Sequence, residues 1–381
     1  MQTPDFIELY KQLIASPSIS SLDARQSQSN KGVIELLASW CESLGFTCQV
    51  IELESAPGKF NLLAKRGDGA GGLMLAGHTD TVPFDEGRWQ MDPFTLTERD
   101  NKLFGLGSID MKGFFAFVLN AISELDSTKQ QQPLLILATA DEETTMAGAQ
   151  EVAKYPDLKP ARCIIGEPTD MVPVFTHKGH MTSAIRIIGK SGHSSDPERG
   201  VNAIEVMNLV IQKLLVLKEE LKNKYSIEHF AIPYPTLNLG HIHGGDSANR
   251  ICGCCELQLD MRPLPGLSIA QLQAMLLDAT KEINARYPGC VEVWDMHEPI
   301  PAFAGTTDSA LVKLAESVSE QSAVAVNYCT EAPFIAQLGC ETIVMGPGSI
   351  NQAHQPDEFL AMEKIVPSQH IIKEMIYKSC W

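Results

Sequence analysis

At 381 residues, 44% hydrophobic and 20% charged, the chain has the length of two or three domains and the composition of a soluble globular protein. Thirty basic against 47 acidic residues give a formal charge of −17, which argues against nucleic acid and anionic membrane as partners, since both demand a basic surface. No apolar run approaches the roughly 18 residues of a membrane helix, and the opening MQTPDFIELY lacks the basic and apolar regions of a secretory signal, so a cytoplasmic location is expected.

The first 170 residues alternate between helix and strand signals. Residues 31–45 read as a helix ending at Gly45, followed by strands at TCQVIEL, NLLAKRG and LMLAGHT. A helix from Met111 to Leu125, a strand at PLLILATA, a helix near 144–154 and a strand at RCIIGE complete this part. Continuous apolar strands separated by helices imply a largely parallel sheet covered on both faces. Near residue 178 the pattern changes. HMTSAIRIIG is a strand, and 201–223 is a helix with an apolar stripe of Ile204, Met207, Ile211, Leu214 and Leu215. The strands TLNLGHIH and ICGCCELQLDMRP, a helix at 268–286 and a strand at CVEVWDM follow. This β-α-β-β-α-β order is that of a ferredoxin-like unit. A helix at 308–321, a strand at ETIVMG and a helix at 363–378 return to the first pattern. The expected architecture is an α/β domain interrupted by a small α+β insertion.

The ten cysteines are irregularly spaced. In ICGCCELQLDMRP, Ile251, Cys255, Leu257, Leu259 and Met261 alternate with polar residues. That is the pattern of ordinary strand cysteines in a reducing compartment rather than of a disulfide framework or a metal site.

The chemistry gathers at the strand ends. LMLAGHTD delivers His78 and Asp80, whose side chains, two residues apart in an extended segment, point the same way. Asp110 precedes a helix, PLLILATADEE ends in Asp141, Glu142 and Glu143, RCIIGEPT ends in Glu167, and His354 lies beyond the last strand. Ligands of open parallel sheets bind beyond the carboxyl ends of the strands, so these groups can share one crevice. A single acidic strand end is an ordinary helix cap. Four, with two histidines, are not explained by capping, because like charges so close repel and raise one another's pKa. A divalent cation removes that repulsion, and imidazole with carboxylate suits zinc. The count exceeds the three protein ligands usual for one catalytic zinc and matches two metals sharing a carboxylate. Of the adjacent Glu142 and Glu143, one can bind metal while the other serves as general base. Asp80 is then expected to orient His78.

Other motifs fail. IRIIGKSG has Ala184 where a phosphate loop requires its first glycine, GLGSID lacks the third glycine of a dinucleotide fingerprint, and no G-x-S-x-G occurs.

GHTDTVP, GLGSIDMKG, ATADEE, IGEPT, SGHSS, GGDSANRI and NQAHQPDE, in order and over nearly the whole chain, resemble the dizinc peptidase and deacylase family. GHTDTVPFDEGRWQMDPFTL, THKGHMTSAIRI, NRICGCCELQLDMRPLPG, NYCTEAPFI and GPGSINQAHQPDE are similar to one deacetylase subgroup of it. In much of the family a proline follows the segment Asn249–Ile251, and Cys252 stands there instead.

The resemblance implies a zinc-peptidase-like catalytic domain (1–177 and 290–381) interrupted by a ferredoxin-like lid and dimerisation domain (178–289), with a homodimer formed through the lid. It implies two zinc ions per subunit, with cobalt as a substitute. His78, Asp110 and Glu167 would hold one, Asp110, Glu143 and His354 the other, with Asp110 bridging. Glu142 matches the general base, Asp80 the residue that orients His78, and Asp110–Met111 a cis peptide. His193 resembles a lid histidine that reaches the partner subunit's active site and steadies the oxyanion. Asn249 and Arg262 resemble groups that grip the substrate, Arg262 being suited to a bidentate carboxylate. Gly346 and Gly348 are expected to offer backbone N–H groups to the same carboxylate. Glu331 is a candidate partner for a cationic substrate side chain, the alternative being a loop carboxylate near the insertion. Glutathione is a further cofactor that the family allows and the sequence does not reveal. The expected substrate is a small N-acetylated amino acid, split by water. Sibling deacylases that remove a succinyl group or accept many acyl amino acids remain alternatives, as does an inactive binding relative.

Overall fold

A computed structural model describes residues 4–155 and 158–381, and the chain forms two compact units. The first holds the residues through Phe175 together with Gly305–Val324 and Thr330–Trp381. Its sheet runs in the order Thr47–Glu52, Phe60–Arg66, Leu134–Thr139, Leu73–His78, Arg162–Pro168, Glu341–Gly346. The last four strands are mutually parallel, whereas Phe60–Arg66 is antiparallel to both of its neighbours, Thr47–Glu52 and Leu134–Thr139. The sheet expected to be largely parallel is thus parallel at its centre and antiparallel at this edge. The cause is length: only residues 53–59 join the first two strands, and a parallel crossover needs a dozen or more.

Leu73–His78 and Leu134–Thr139 are buried at every position, as parallel strands covered on both faces must be. The helix Lys112–Ser123 is apolar nearly all round and buries Phe114, Phe115, Phe117, Val118 and Ile122. A helix at Phe6–Ile14, not foreseen in the sequence, is capped by the Asp5 side chain on the Glu8 N–H and sets Phe6 edge-on to Phe117 at 4.8 Å. The helix expected near 144–154 is shorter, Ala147–Glu151 followed by one 3-10 turn. Its start is delayed because the Asp141 carbonyl winds the preceding loop, accepting N–H groups of Thr145 and Met146 at 3.0 and 2.6 Å. A small antiparallel sheet of Thr97–Arg99, Lys102–Phe104 and Phe359–Ala361 also lay outside the sequence reading.

The second unit spans Thr176–Ala304 and Ala325–Cys329. Its four-stranded antiparallel sheet is ordered Thr236–Gly244, Cys254–Arg262, Met181–Ile188, Val291–Asp295. Two helices, Ala203–Lys224 and Ile269–Arg286, complete the expected β-α-β-β-α-β order. Cys255, Leu257, Leu259 and Met261 are buried and alternate with partly exposed residues, as read from the sequence. The apolar stripe of the first helix is displaced from its expected position. Val206, Val210, Leu214, Leu217 and Leu221 form the buried row with Met207, while Ile204 and Leu215 are 48% and 47% exposed. Two adjacent apolar rows exist at helical spacing, and the sheet takes the one that continues to Leu221. Among the described residues no helix is long and apolar enough to cross a membrane.

Candidate metal centre

The four parallel strands end at one edge of the first unit's sheet, and that edge carries the site. His78 is the last residue of its strand and is fully buried. Glu142 and Glu143 follow the neighbouring strand on one side, and Glu167 sits near the end of the neighbour on the other. Asp110 precedes a helix as expected, ending the loop that leads into Lys112–Ser123, and belongs to no strand. The Asp110–Met111 peptide is cis.

His78 Nε2 lies 3.1 Å from Asp110 Oδ1 and 3.6 Å from Glu167 Oε1. His354 Nε2 lies 3.0 Å from Glu143 Oε2 and 3.5 Å from Asp110 Oδ2. Asp110 thus turns one oxygen to each histidine. Two sets of ligand atoms have the spacing of a metal's coordination shell: His78 with Asp110 and Glu143, and His78 with Glu142 and Glu167. Glu167 Oε1 is buried without a hydrogen-bond donor.

Asp80 is fully buried, and its carboxylate accepts the backbone N–H groups of Glu142 and Glu143, each at 3.2 Å. His78 Nδ1 is nearer to the Asp80 carbonyl, at 3.0 Å, than to the Asp80 carboxylate, at 3.6 Å. Besides facing His78, the Asp80 carboxylate therefore holds the turn that presents the two glutamates. That turn is held further by Asp141, which accepts from the Ser20 hydroxyl at 2.8 Å and pairs with Lys59 at 2.7 Å.

The electrostatics are those of a cation site. Burial pushes Glu142, Glu143 and Glu167 above the usual carboxylate range, and the negative charges of their neighbours push them further. Burial disfavours a charged His78, but Glu167, Asp110, Glu142 and Asp80 outweigh it and raise its pKa well above the ordinary value. The hydrogen bond to Glu143 brings His354 to about 9. In a dry cluster protons supply the missing positive charge, and a divalent cation would displace them. The donor set, imidazole nitrogen and carboxylate oxygen, fits zinc.

Glu331 proves to be wholly buried. Burial lifts it to about 7, with Asp80 adding to the rise and Thr139 and His78 opposing it. The Thr139 hydroxyl already donates to the Gly77 carbonyl at 3.1 Å, and both Glu331 oxygens lack a hydrogen-bond donor. Glu331 does occupy the loop position expected of the alternative, just before the short helix Ala332–Ile335, but it is not a solvated carboxylate. Gly346 does not meet its expectation: its N–H donates to Thr169 Oγ1 at 3.2 Å and is not available to a ligand. Gly346 is needed for close packing instead, since a Cβ there would stand 2.1 Å from the Gly166 carbonyl oxygen. Gly348 adopts φ of 84° beside Ile109.

His193, Asn249 and Arg262 belong to the second unit. A short ribbon pairing Gly192–His193 with Arg250–Ile251 brings the first two together. The Ser195 N–H donates to His193 Nδ1 at 3.2 Å, which leaves Nε2 as the protonated nitrogen of the neutral ring. Arg262 Nε donates to Asp260 Oδ1 at 3.0 Å, so its guanidinium is oriented before any ligand arrives.

Glu358 escaped the sequence reading although it lies four residues beyond His354. It is buried, and it accepts backbone N–H groups from the Asp110 loop. Only the pairing of Phe359–Ala361 with Lys102–Phe104 places it there, and no local spacing signals that contact.

A family model described as Peptidase family M20/M25/M40 matches residues 74–378. Over 380 residues, covering all of both chains, the sequence is 55% identical to a protein named acetylornithine deacetylase from Vibrio campbellii (strain ATCC BAA-1116). Among solved structures, a tripeptidase from Staphylococcus aureus superposes with a TM-score of 0.79 at 19% identity, covering 98% of this chain and 97% of its own. An M20 family metallo-carboxypeptidase from Sulfolobus solfataricus gives 0.80 at 18% identity, covering 98% of each chain. A dinuclear metal binding peptidase of the M20 family from Bacillus subtilis gives 0.67 at 14% identity, over 98% and 97%. The fold is that of these peptidases.

The pKa shifts predict an inverted pH response. Without metal, Glu331 and Glu358 titrate near 7 and His354 near 9, above the unfolded values of about 4.3 and about 6.5. Each binds more protons folded than unfolded, so its contribution is complete below the unfolded value and is lost as pH rises through the folded one. The thermal midpoint of the chelator-stripped protein is expected to fall between about pH 6 and about pH 7, while zinc affinity rises over that window because the ligands must lose protons. Above about pH 7 the buried Lys112, lowered to about 7, adds stability as pH rises and opposes His354. A metal-free midpoint that climbs across the window would contradict the assignment.

Proposed function

The chain belongs to the peptidase family M20/M25/M40, and we propose that it is a cytoplasmic, dizinc amide hydrolase that splits N2-acetyl-L-ornithine into L-ornithine and acetate, a step of arginine biosynthesis. The observation that carries the reading is the cluster around His78, found in a chain 55% identical along its whole length to an acetylornithine deacetylase.

His78, Asp110 and Glu167 would hold one zinc, and Asp110, Glu143 and His354 the other, the arrangement supported by the two oxygens of Asp110 facing the two histidines. Cobalt suits the same donors. When bound, the two cations supply an acidified water and a polarised acyl carbonyl. Glu142 takes the proton of the attacking water and returns it to the departing α-amine. Its elevated affinity for protons, caused first by burial and then by Glu167, Glu143 and Glu331, is what such a shuttle needs. Asp80 keeps Glu142 in place through the backbone N–H. His193 of the partner subunit, with Nε2 protonated, is the group we assign to the developing oxyanion, and Asn249, Arg262 and Gly348 to the substrate carboxylate. Glu331, buried and without a donor, suits the cationic side-chain amine of the substrate.

We further propose a homodimer formed through the second unit. Its sheet leaves Thr236–Gly244 as an edge strand, and Ile204, Leu215, Val216 and Ile242 are exposed on that strand and the neighbouring helix.

Replacing Glu142 by Gln is expected to lower kcat roughly 10²–10⁴-fold with two zinc ions per subunit retained by elemental analysis. An active variant would refute the proton shuttle. Replacing Glu331 by Gln should raise KM for N2-acetylornithine more than for N-acetylmethionine. Equal rises for both substrates would remove Glu331 from side-chain recognition.

A further inference from the structure

A buried carboxylate that the reaction above does not use stands behind Asp110. Glu358 is 2% exposed. Its Oε2 accepts the Gly107 N–H at 3.0 Å, and its Oε1 accepts the N–H groups of Ile109 at 2.7 Å and Asp110 at 3.2 Å. The Ser108 hydroxyl adds a fourth donor at 3.3 Å. Four donors from four successive residues therefore converge on one side chain.

The surroundings hold both partners in register. The Glu358 carbonyl accepts the Gly105 N–H at 3.0 Å, the strand Phe359–Ala361 pairs with Lys102–Phe104, and the Tyr10 hydroxyl donates to the Ser108 carbonyl. Charge balance alone does not account for Glu358, since the neighbouring Asp110 carboxylate repels it and pushes its proton affinity up, with the buried Lys112 as the opposing positive charge. The hydrogen-bond donors do account for it. Residues 107–110 form a tight loop whose N–H groups have no strand or helix to receive them, and buried N–H groups must be paired.

We propose that Glu358 is a positioning residue of the metal centre: by gathering the N–H groups of Gly107, Ile109 and Asp110 it sets the backbone from which Asp110 directs one oxygen to each histidine. The inference rests on the proposed dizinc reading, in which Asp110 is the shared ligand. Because that ligand is shared, a displaced loop weakens both metal positions together and not one alone.

The test is zinc affinity, measured by competition with a chromophoric chelator on wild type, Glu358→Gln and Asp110→Asn. Gln has the shape of Glu but can accept at only one end. Its amide nitrogen must face either Gly107 N–H or the Ile109 and Asp110 N–H pair, a donor against a donor. Glu358→Gln is expected to lose 10–100-fold in affinity at both sites, the usual cost of removing a ligand's outer support. Its metal-free form should keep the wild-type circular dichroism and a cooperative thermal transition. Wild-type affinity in folded Glu358→Gln, with Asp110→Asn weakened, overturns the positioning role and leaves the metal centre standing. A wild type that binds no zinc, and an Asp110→Asn that changes nothing, overturn the metal reading itself. Should Glu358→Gln fail to fold, Ser108→Ala deletes one donor and leaves the carboxylate intact. A several-fold loss of affinity then supports the role, and unchanged affinity overturns it.

Discussion

The constraint on which this structure turns is electrostatic. Asp110, Glu143, Glu142 and Glu167 crowd around His78 at a sheet edge where water is scarce, and their oxygens lie within a few ångströms of the same imidazole. Burying so many like charges is unfavourable unless positive charge joins them. Protons on the carboxylates and histidines supply it in isolation, and two divalent cations supply it in a form that does chemistry. The family to which the chain belongs includes a dinuclear metal binding peptidase, in keeping with that reading of the donor set.

A cluster of this kind has to be assembled against its own repulsion, and the scaffold is made of backbone N–H groups held by further carboxylates. Asp80 takes those of Glu142 and Glu143, and Glu358 takes those of the loop ending in Asp110. The parallel strands supply rigidity, since every residue of Leu73–His78 and Leu134–Thr139 is buried. His354 stands apart from this pattern. It lies on an irregular segment at φ 58° and its side chain is 56% exposed, so it is the most exposed of the candidate ligands.

Much of this was legible in the sequence because the signals are local. Apolar runs ending in His78, in the Asp141–Glu143 triplet and in Glu167 announce buried strands that carry functional groups, and the alternation through Cys255–Met261 announces a half-buried one. The illegible parts depend on contacts between distant residues. Glu358 acquires its role only when residues 359–361 pair with 102–104. Gly346 looked like a donor to a substrate, but Thr169, 177 residues away, claims its N–H. The helix after Asn202 carries two apolar rows, and only tertiary packing chooses the one ending at Leu221. Glu331 could be named but not placed, because nothing near it in sequence indicates that it is buried beside the cluster.

The central claim is that this metal centre removes an acetyl group from N2-acetyl-L-ornithine. The most direct measurement is amine release from that substrate and from N-succinyl-diaminopimelate, on metal-stripped protein with and without added zinc. The account predicts turnover of the acetyl substrate alone, appearing only when zinc is returned. Preference for the succinyl substrate, or turnover that survives without metal, would contradict it.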